Sequence, residues 1–415
     1  MPDASAALIT DDAVVLGLLA VTLGAVFWTA SRPSGFWKKF YNIVPALLVC
    51  YLVPALYNSF GLIDGAASGL YPMARDYLLP SALVLFCVAM DIGAILRLGP
   101  KAVIMFLTGT AGVVIGAWVS FWAMGLIHPE TVAGETWRGM TTVAGSWIGG
   151  GANQAAMKEV FEVEPTLFGQ FIAIDVIVAN LWLAVLLFLA PRADAFDRWV
   201  NADTSAIESL KQQIASYQAE HARIPNMADF MLIFAIALGI TGLSHFLAAP
   251  LVDWVRSLPL DWRLQDYSLD SRFFWIVVFA TTFGVLLSFT RARQLEGAGA
   301  STIGSVFLYV LIATIGMQMD LKALADRPTL LALGVMWIAV HAVLLIGVAK
   351  LIRAPLFFLA VGSQANIGGA ASAPVVASAF HPSLAPVGVL LAVVGYALGT
   401  YFAYITGIGL QFMAG

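Results

Sequence analysis

Apolar residues in this chain fall into long blocks, and each block is close to the roughly 20 residues that a helix needs to cross a bilayer. Six blocks precede a polar middle, at 14–30, 40–60, 77–96, 101–127, 138–160 and 165–190. Six follow it, at 228–250, 272–290, 301–320, 329–350, 355–380 and 383–412. Prolines and charges punctuate the joins, as at Arg97 to Lys101, His128 to Arg138 and Asp326 to Pro328. The pattern predicts an all-α, polytopic membrane protein of about 12 transmembrane helices. In the polar middle Ile207, Leu210, Ile214 and Tyr217 recur at three and four residues among charges, the spacing of an amphipathic helix lying on a surface. The expected organisation is a first transmembrane repeat over 1–191, a polar amphipathic linker over 192–227, and a second transmembrane repeat over 228–415.

Two blocks are interrupted. Gly145-Ser-Trp-Ile-Gly-Gly-Gly-Ala-Asn-Gln154 sets Gly149, Gly150 and Gly151 before Asn153 and Gln154. In the second half Gly362-Ser-Gln-Ala-Asn-Ile-Gly-Gly369 sets Ser363, Gln364 and Asn366 before Gly368 and Gly369, with Ser372 following. Glycine weakens a helix and carboxamides are costly in hydrocarbon, so both tracts predict broken helices that line a cavity. Close packing of small residues explains the glycines but not four carboxamides. Free N–H groups at a half-helix start favour anions, and free carbonyls at a half-helix end favour cations.

The halves also parallel each other outside these tracts. Met90 and Asp91 open a short stretch that leads through Arg97 and Lys101 into a long apolar block and the first glycine tract. Met319 and Asp320 lead in the same order through Lys322 and Arg327 to the second. Duplication with a shared cavity at mid-membrane follows from this order. The parity of the span count leaves the copies facing the same way, and one span more or fewer inverts them.

Composition settles the class: 60% of the 415 residues are hydrophobic and 11% charged, with a mean hydropathy of +0.87, against about 25% charged in a soluble domain. A net charge of -4 offers no nucleic-acid surface. Cys50 and Cys87 lie inside apolar blocks as inert thiols. The first apolar block has acidic but no basic residues before it, so it reads as a retained span and not as a cleaved signal.

Asp175 sits about ten residues into its block among aliphatics, where an unpaired carboxylate costs about 2.5–3.5 kcal/mol on insertion scales. Facing a cavity, binding a cation such as Na+ and carrying a proton are the functional readings, and a structural hydrogen bond is the plain one. Thr400 adds a hydroxyl within Gly395-Tyr-Ala-Leu-Gly-Thr400, whose Gly-x-x-x-Gly spacing is first a packing signal. His245 and His341 read as helix-to-helix hydrogen bonds ahead of proton relays. No metalloprotease, hydrolase, redox or Walker A motif is present, so an enzyme is not expected.

Taken together, the first glycine tract with its mid-block Asp175, the Ser363-Gln-Ala-Asn-Ile-Gly-Gly369 tract and Gly395-Tyr-Ala-Leu-Gly-Thr400 resemble the YjcL-like membrane proteins. That family is catalogued as domain of unknown function 819, and the resemblance runs from about the second block to the C-terminus. In the family the first tract usually reads Gly-Gly-Ser-Val-Asn, whereas Gly149-Gly-Gly-Ala-Asn153 lacks the serine, and Val176 follows Asp175 where the family commonly has Asn. The resemblance implies a two-copy plan with broken helices, similar in outline to sodium/proton antiporters and to bile-acid-type and glutamate/sodium symporters, whose copies are inverted.

The expected function is secondary active transport of a small anionic or zwitterionic solute, such as an organic acid, an amino acid or a short peptide, coupled to Na+ or H+ and without another cofactor. The alternatives are an ion channel, which usually shows rings of charge or a filter repeat, and a non-transporting sensor or scaffold. The expected setting is multi-pass in a bacterial inner (plasma) membrane, with the bilayer and the solute as partners, no nucleic acid, and a homodimer as one assembly the class admits.

Overall fold

A computed structural model describes residues 7–32, 35–41, 44, 46–65, 67–203, 224–258, 269–318, 329–381 and 384–415. In the first half run α1 (Asp12–Ala30), α2 (Ala46–Ser59), α3 (Leu79–Val88), α4 (Pro100–Ile127), α5 (Thr136–Val160) and α6 (Pro165–Leu189). The second half holds α7 (Met227–Ser257), α8 (Arg272–Ser288), α9 (Ala300–Gly316), α10 (Thr329–Ile352), α11 (Leu356–Ile367), α12 (Gly369–Phe380) and α13 (Ala385–Ala414). Apart from an isolated bridge between Ile9 and Ile63, the described residues form no β-structure.

Every apolar block of the sequence contains one of these helices, but their lengths are unequal. Among the described residues, six helical segments are long and apolar enough to cross a membrane by themselves: Asp12–Ala30, Pro100–Ile127, Pro165–Val200, Met227–Ser257, Thr329–Ile352 and Val387–Ala414. A seventh is gained if Arg272–Ser288 and Arg291–Ala298, bent by 95°, count as one. The 77–96 block is shorter as a helix than as a hydrophobic run. A π-helical turn, Ala74–Leu78, leads into α3, which stops at Val88, and a separate short helix, Ile92–Arg97, follows Asp91. Asp91 is buried and lies 3.4 Å from Arg293, so the Met90–Asp91 pair marks a turn held by an ion pair. The amphipathic positions 207–217, and Met319, Asp320, Lys322 and Arg327 of the second parallel stretch, lie outside the described residues.

Large apolar side chains face outward on the long helices, including Ile177, Leu181 and Phe188 on α6 and Phe230, Met231 and Phe234 on α7. In water such surface drives association; in a bilayer it meets lipid chains.

The helices pack as two groups. In the first, α3 lies against α7, α8 and α9, and α9 in turn touches α1 and α2. In the second, α13 lies along α5, α4 lies against α10 and α11, and α12 packs on α13. Packing within each group is closer than between them. Between the groups, α3 and α8 lean on α13 through a stack of Phe86 on Tyr396, with ring centroids 4.3 Å apart, and through a 3.0 Å hydrogen bond between the hydroxyls of Thr281 and Thr400.

Candidate functional site at two helix breaks

Both glycine tracts break their helices, as their composition predicts. Gly150 has φ 73° and ψ -174°, a conformation open essentially to glycine alone, and it splits α5 into two half-helices. Gly369, at φ 56°, starts α12 on a new path after α11 ends at Ile367. Gly150, Gly151, Gly368, Gly369 and Ala370 all keep partial exposure, although the residues before them are buried.

The breaks meet on α13. Gly395 lies against the carbonyl of Ile148, where an added Cβ would come within 2.5 Å, and it also lies near the carbonyl of Ala365. Gly399 lies on Gly149, with an added Cβ 2.6 Å from the Gly149 Cα. The Gly-x-x-x-Gly spacing is therefore a packing device: it lets α13 approach both backbones.

Asn153 and Asn366 are held by the same three-point clasp. Asn153 Nδ2 donates to the carbonyl of Gly149, one turn back, and to that of Tyr396, both at 2.9 Å, while its Oδ1 accepts from Thr400 at 2.7 Å. Asn366 Nδ2 donates to the carbonyls of Gly362, one turn back, and Phe106, both at 2.9 Å, while its Oδ1 accepts from Thr110 at 2.8 Å. In each case the neighbour offers a carbonyl and a threonine four residues on. These carboxamides are filled by protein, so they pin the breaks to adjacent helices.

Asp175 is buried and holds the first break from α6. Its Oδ2 accepts from Ser146 Oγ at 2.6 Å and from Gln154 Nε2 at 3.0 Å, and its Oδ1 accepts from Trp147 Nε1 at 2.6 Å. Ser146 and Trp147 precede Gly150 and Gln154 follows it, so one carboxylate ties both half-helices together. Two turns further along α6, Trp182 Nε1 donates to Ser363 Oγ on α11 at 2.8 Å, and the same hydroxyl is 2.8 Å from His341 Nε2. Gln364 Nε2 donates to Ser372 Oγ across the second break at 2.7 Å. Asn180, by contrast, is exposed and donates to the carbonyl of Val176 on its own helix.

Thus the structure brings Asn153, Gln154, Asp175, Asn366, Ser363, Gln364, Ser372 and Thr400 to the two breaks or to the helices clasping them. Ser146, Trp147, Thr110, Trp182 and His341 complete the arrangement as donors and acceptors. His341 keeps its helix-to-helix role, and so does His245, whose Nε2 lies 2.8 Å from the carbonyl of Asp76.

One cluster escaped the sequence reading. At the end of α5, Lys158 is buried, donating to Tyr71 at 2.6 Å and to Glu159 at 2.8 Å. Glu159 also pairs with Arg75 at 3.6 Å and hydrogen-bonds Tyr71. These residues line a polar cleft of about 660 Å³ with His245, Ser271, Arg272 and Gln318, where α5 and α6 of the second group face residues 71–77 and α8 of the first. The available signal was a Lys–Glu pair one turn beyond Gln154.

A chain of apolar helices broken twice at glycine, with amide clasps at both breaks, is a multi-pass membrane protein of a recognisable type. It belongs to the family described as "Protein of unknown function (DUF819)", which matches residues 17–413. It is similar to the "Uncharacterized membrane protein YjcL" of Bacillus subtilis (strain 168), with 22% identity over 388 residues, 89% of this chain and 90% of the relative.

Proposed function

We propose that this chain is a secondary active transporter that moves a small anionic or zwitterionic solute with the help of a Na+ or H+ gradient. The observation that carries this reading is the pair of broken helices, each pinned by an asparagine clasp and each leaving partly exposed glycine backbone amid buried helix. Irregular backbone at membrane depth is tolerated where it is enclosed by protein or lines a hydrophilic path. Each break offers two kinds of group. Amide N–H groups at the start of the second half-helix suit a carboxylate, and carbonyls at the end of the first suit a cation.

The two helix groups supply the moving parts. Helices α1–α3 and α7–α9 form one and α4–α6 and α10–α13 the other, so each half of the chain contributes consecutive helices to both. That division supports an internal duplication and a transport cycle in which the group carrying both breaks shifts against its neighbour. The polar cleft at Lys158 and Arg75 is then a mouth of the pathway.

The test is uptake by purified protein in liposomes, across a panel of radiolabelled organic acids, amino acids and dipeptides, under imposed Na+ and pH gradients. The expected result is saturable uptake of one class that stops when an ionophore collapses the driving gradient. Flux that does not saturate and persists without a gradient makes the protein a channel. No flux and no ligand-induced thermal shift for any of the panel removes transport.

A further inference from the structure

The second break contains a buried polar atom that no described residue satisfies. Gln364 is 1% exposed, and its Oε1 has no hydrogen-bond partner among the described residues. A carboxamide oxygen in that position is costly unless something electropositive meets it. The Nε2 of the same amide donates to Ser372 Oγ at 2.7 Å. It lies over Gly368, where an added Cβ would fall 2.2 Å from Gln364 Nε2 and 1.7 Å from Ser372 Oγ. Glycine is thus required there to leave room for the amide and the hydroxyl.

A helix end lies beside Gln364 and Ser372, because Gly368 directly follows α11. Helix α11 ends at Ile367, where Gly368 N–H donates to the carbonyl of Gln364 at 2.9 Å. The last carbonyls of a helix have no following N–H of that helix, and they carry the negative end of its dipole. Gly369 turns the chain away at φ 56°, and Gly368, Gly369 and Ala370 stay partly exposed, which gives a small ion a way in.

We propose that the break between α11 and α12 is a Na+ site formed by Gln364 Oε1, Ser372 Oγ and the terminal carbonyls of α11. The donor set narrows the ion to a monovalent cation. All its atoms are neutral oxygens, which suit a hard monovalent cation, whereas Ca2+ and Mg2+ sites draw on carboxylates. Among the described residues no group of three His, Cys, Asp or Glu side chains gathers around a point. A carboxamide does not titrate, so this site cannot use H+ in place of a metal ion. The assignment rests on the transporter reading for its purpose and names Na+ as the coupling ion.

Direct binding of 22Na+ to the purified full-length protein in detergent tests it, with choline chloride holding ionic strength and K+ as competitor. The wild type should bind 22Na+ saturably, with K+ a poor competitor. Gln364→Ala, which deletes one ligand, should weaken binding roughly ten- to a hundredfold. Gln364→Glu keeps an oxygen in place and should retain binding, and Ser372→Ala gives a second, smaller loss should the alanine variant at 364 fail to fold. No saturable binding by the wild type, equal binding by wild type and Gln364→Ala, or K+ competing as well as Na+ each overturns the site. Binding is read without uptake, so a protein that binds 22Na+ as expected but shows no ion-driven flux keeps the site and loses the transporter reading.

Discussion

Asp175 shows how far one residue type carries an argument. Its depth marks it as exceptional from sequence, since a lone carboxylate among aliphatics needs a reason. What depth does not reveal is that three donors from α5 surround it, two on one side of Gly150 and one on the other. Those donors belong to Ser146, Trp147 and Gln154, and their convergence depends on a break whose angle no sequence pattern encodes. The carboxylate is therefore a positioning residue for the first break. Asp175→Asn is nearly isosteric but sets an NH2 against donors, at least one of which stays unmatched. The expected loss is about 1–3 kcal/mol, read as a lower thermal midpoint in detergent together with reduced uptake. An unchanged midpoint would show that the carboxylate does not hold the half-helices together. The clasps were half legible in the same way: Thr400 was visible in its motif, whereas Thr110 lies in an unremarkable apolar run and is found only through Asn366.

Among the elements, each of the twelve apolar blocks contains a helix, although only six or seven of the described segments are long and apolar enough to span a membrane by themselves. The breaks were legible because glycine and amides together contradict a smooth span. Their exact turning points were not, since three successive glycines at 149–151 look alike until packing chooses among them. Gly149 is closed in by Asn153, Gly395 and Gly399, and Gly150 takes the left-handed turn. Gly150→Ala should cost about 1–3 kcal/mol for the strained backbone and lower uptake, as measured by thermal unfolding and liposome flux. Gly17→Ala in α1 serves as the control, because nothing lies within 4 Å of an added Cβ there. It should be neutral or raise stability by up to about 1 kcal/mol. Equal effects of the two changes would remove any special role for the Gly150 conformation.

For the molecule as a whole, the division of the helices into two packed groups was not legible. Helices in lipid associate through small residues and close backbone approach, a signal spread thinly over many glycines and alanines. Charge was the weakest guide: Lys158, Glu159, Tyr71 and Arg75 come from distant segments and meet only once the groups are assembled. If one group shifts against the other, a covalent tie between them stops transport. Thr281 on α8 and Thr400 on α13 touch through their hydroxyls, so Thr281→Cys with Thr400→Cys places two thiols for a disulfide. Oxidation should abolish uptake and a reductant should restore it, with cross-linking followed by mobility after cleavage between the halves. Full uptake by fully cross-linked protein would rule out relative motion at this contact.

One consequence follows from α6, which grips the first break at Asp175 and the second at Trp182, two turns apart on one rod. A rod does not stretch, so any movement of one kink along it carries the other. On the proposed transport function, a cargo lodged at one of them and a driver lodged at the other would have to make the journey together, and slippage, the futile leak of one without its companion, would be suppressed by mechanics alone.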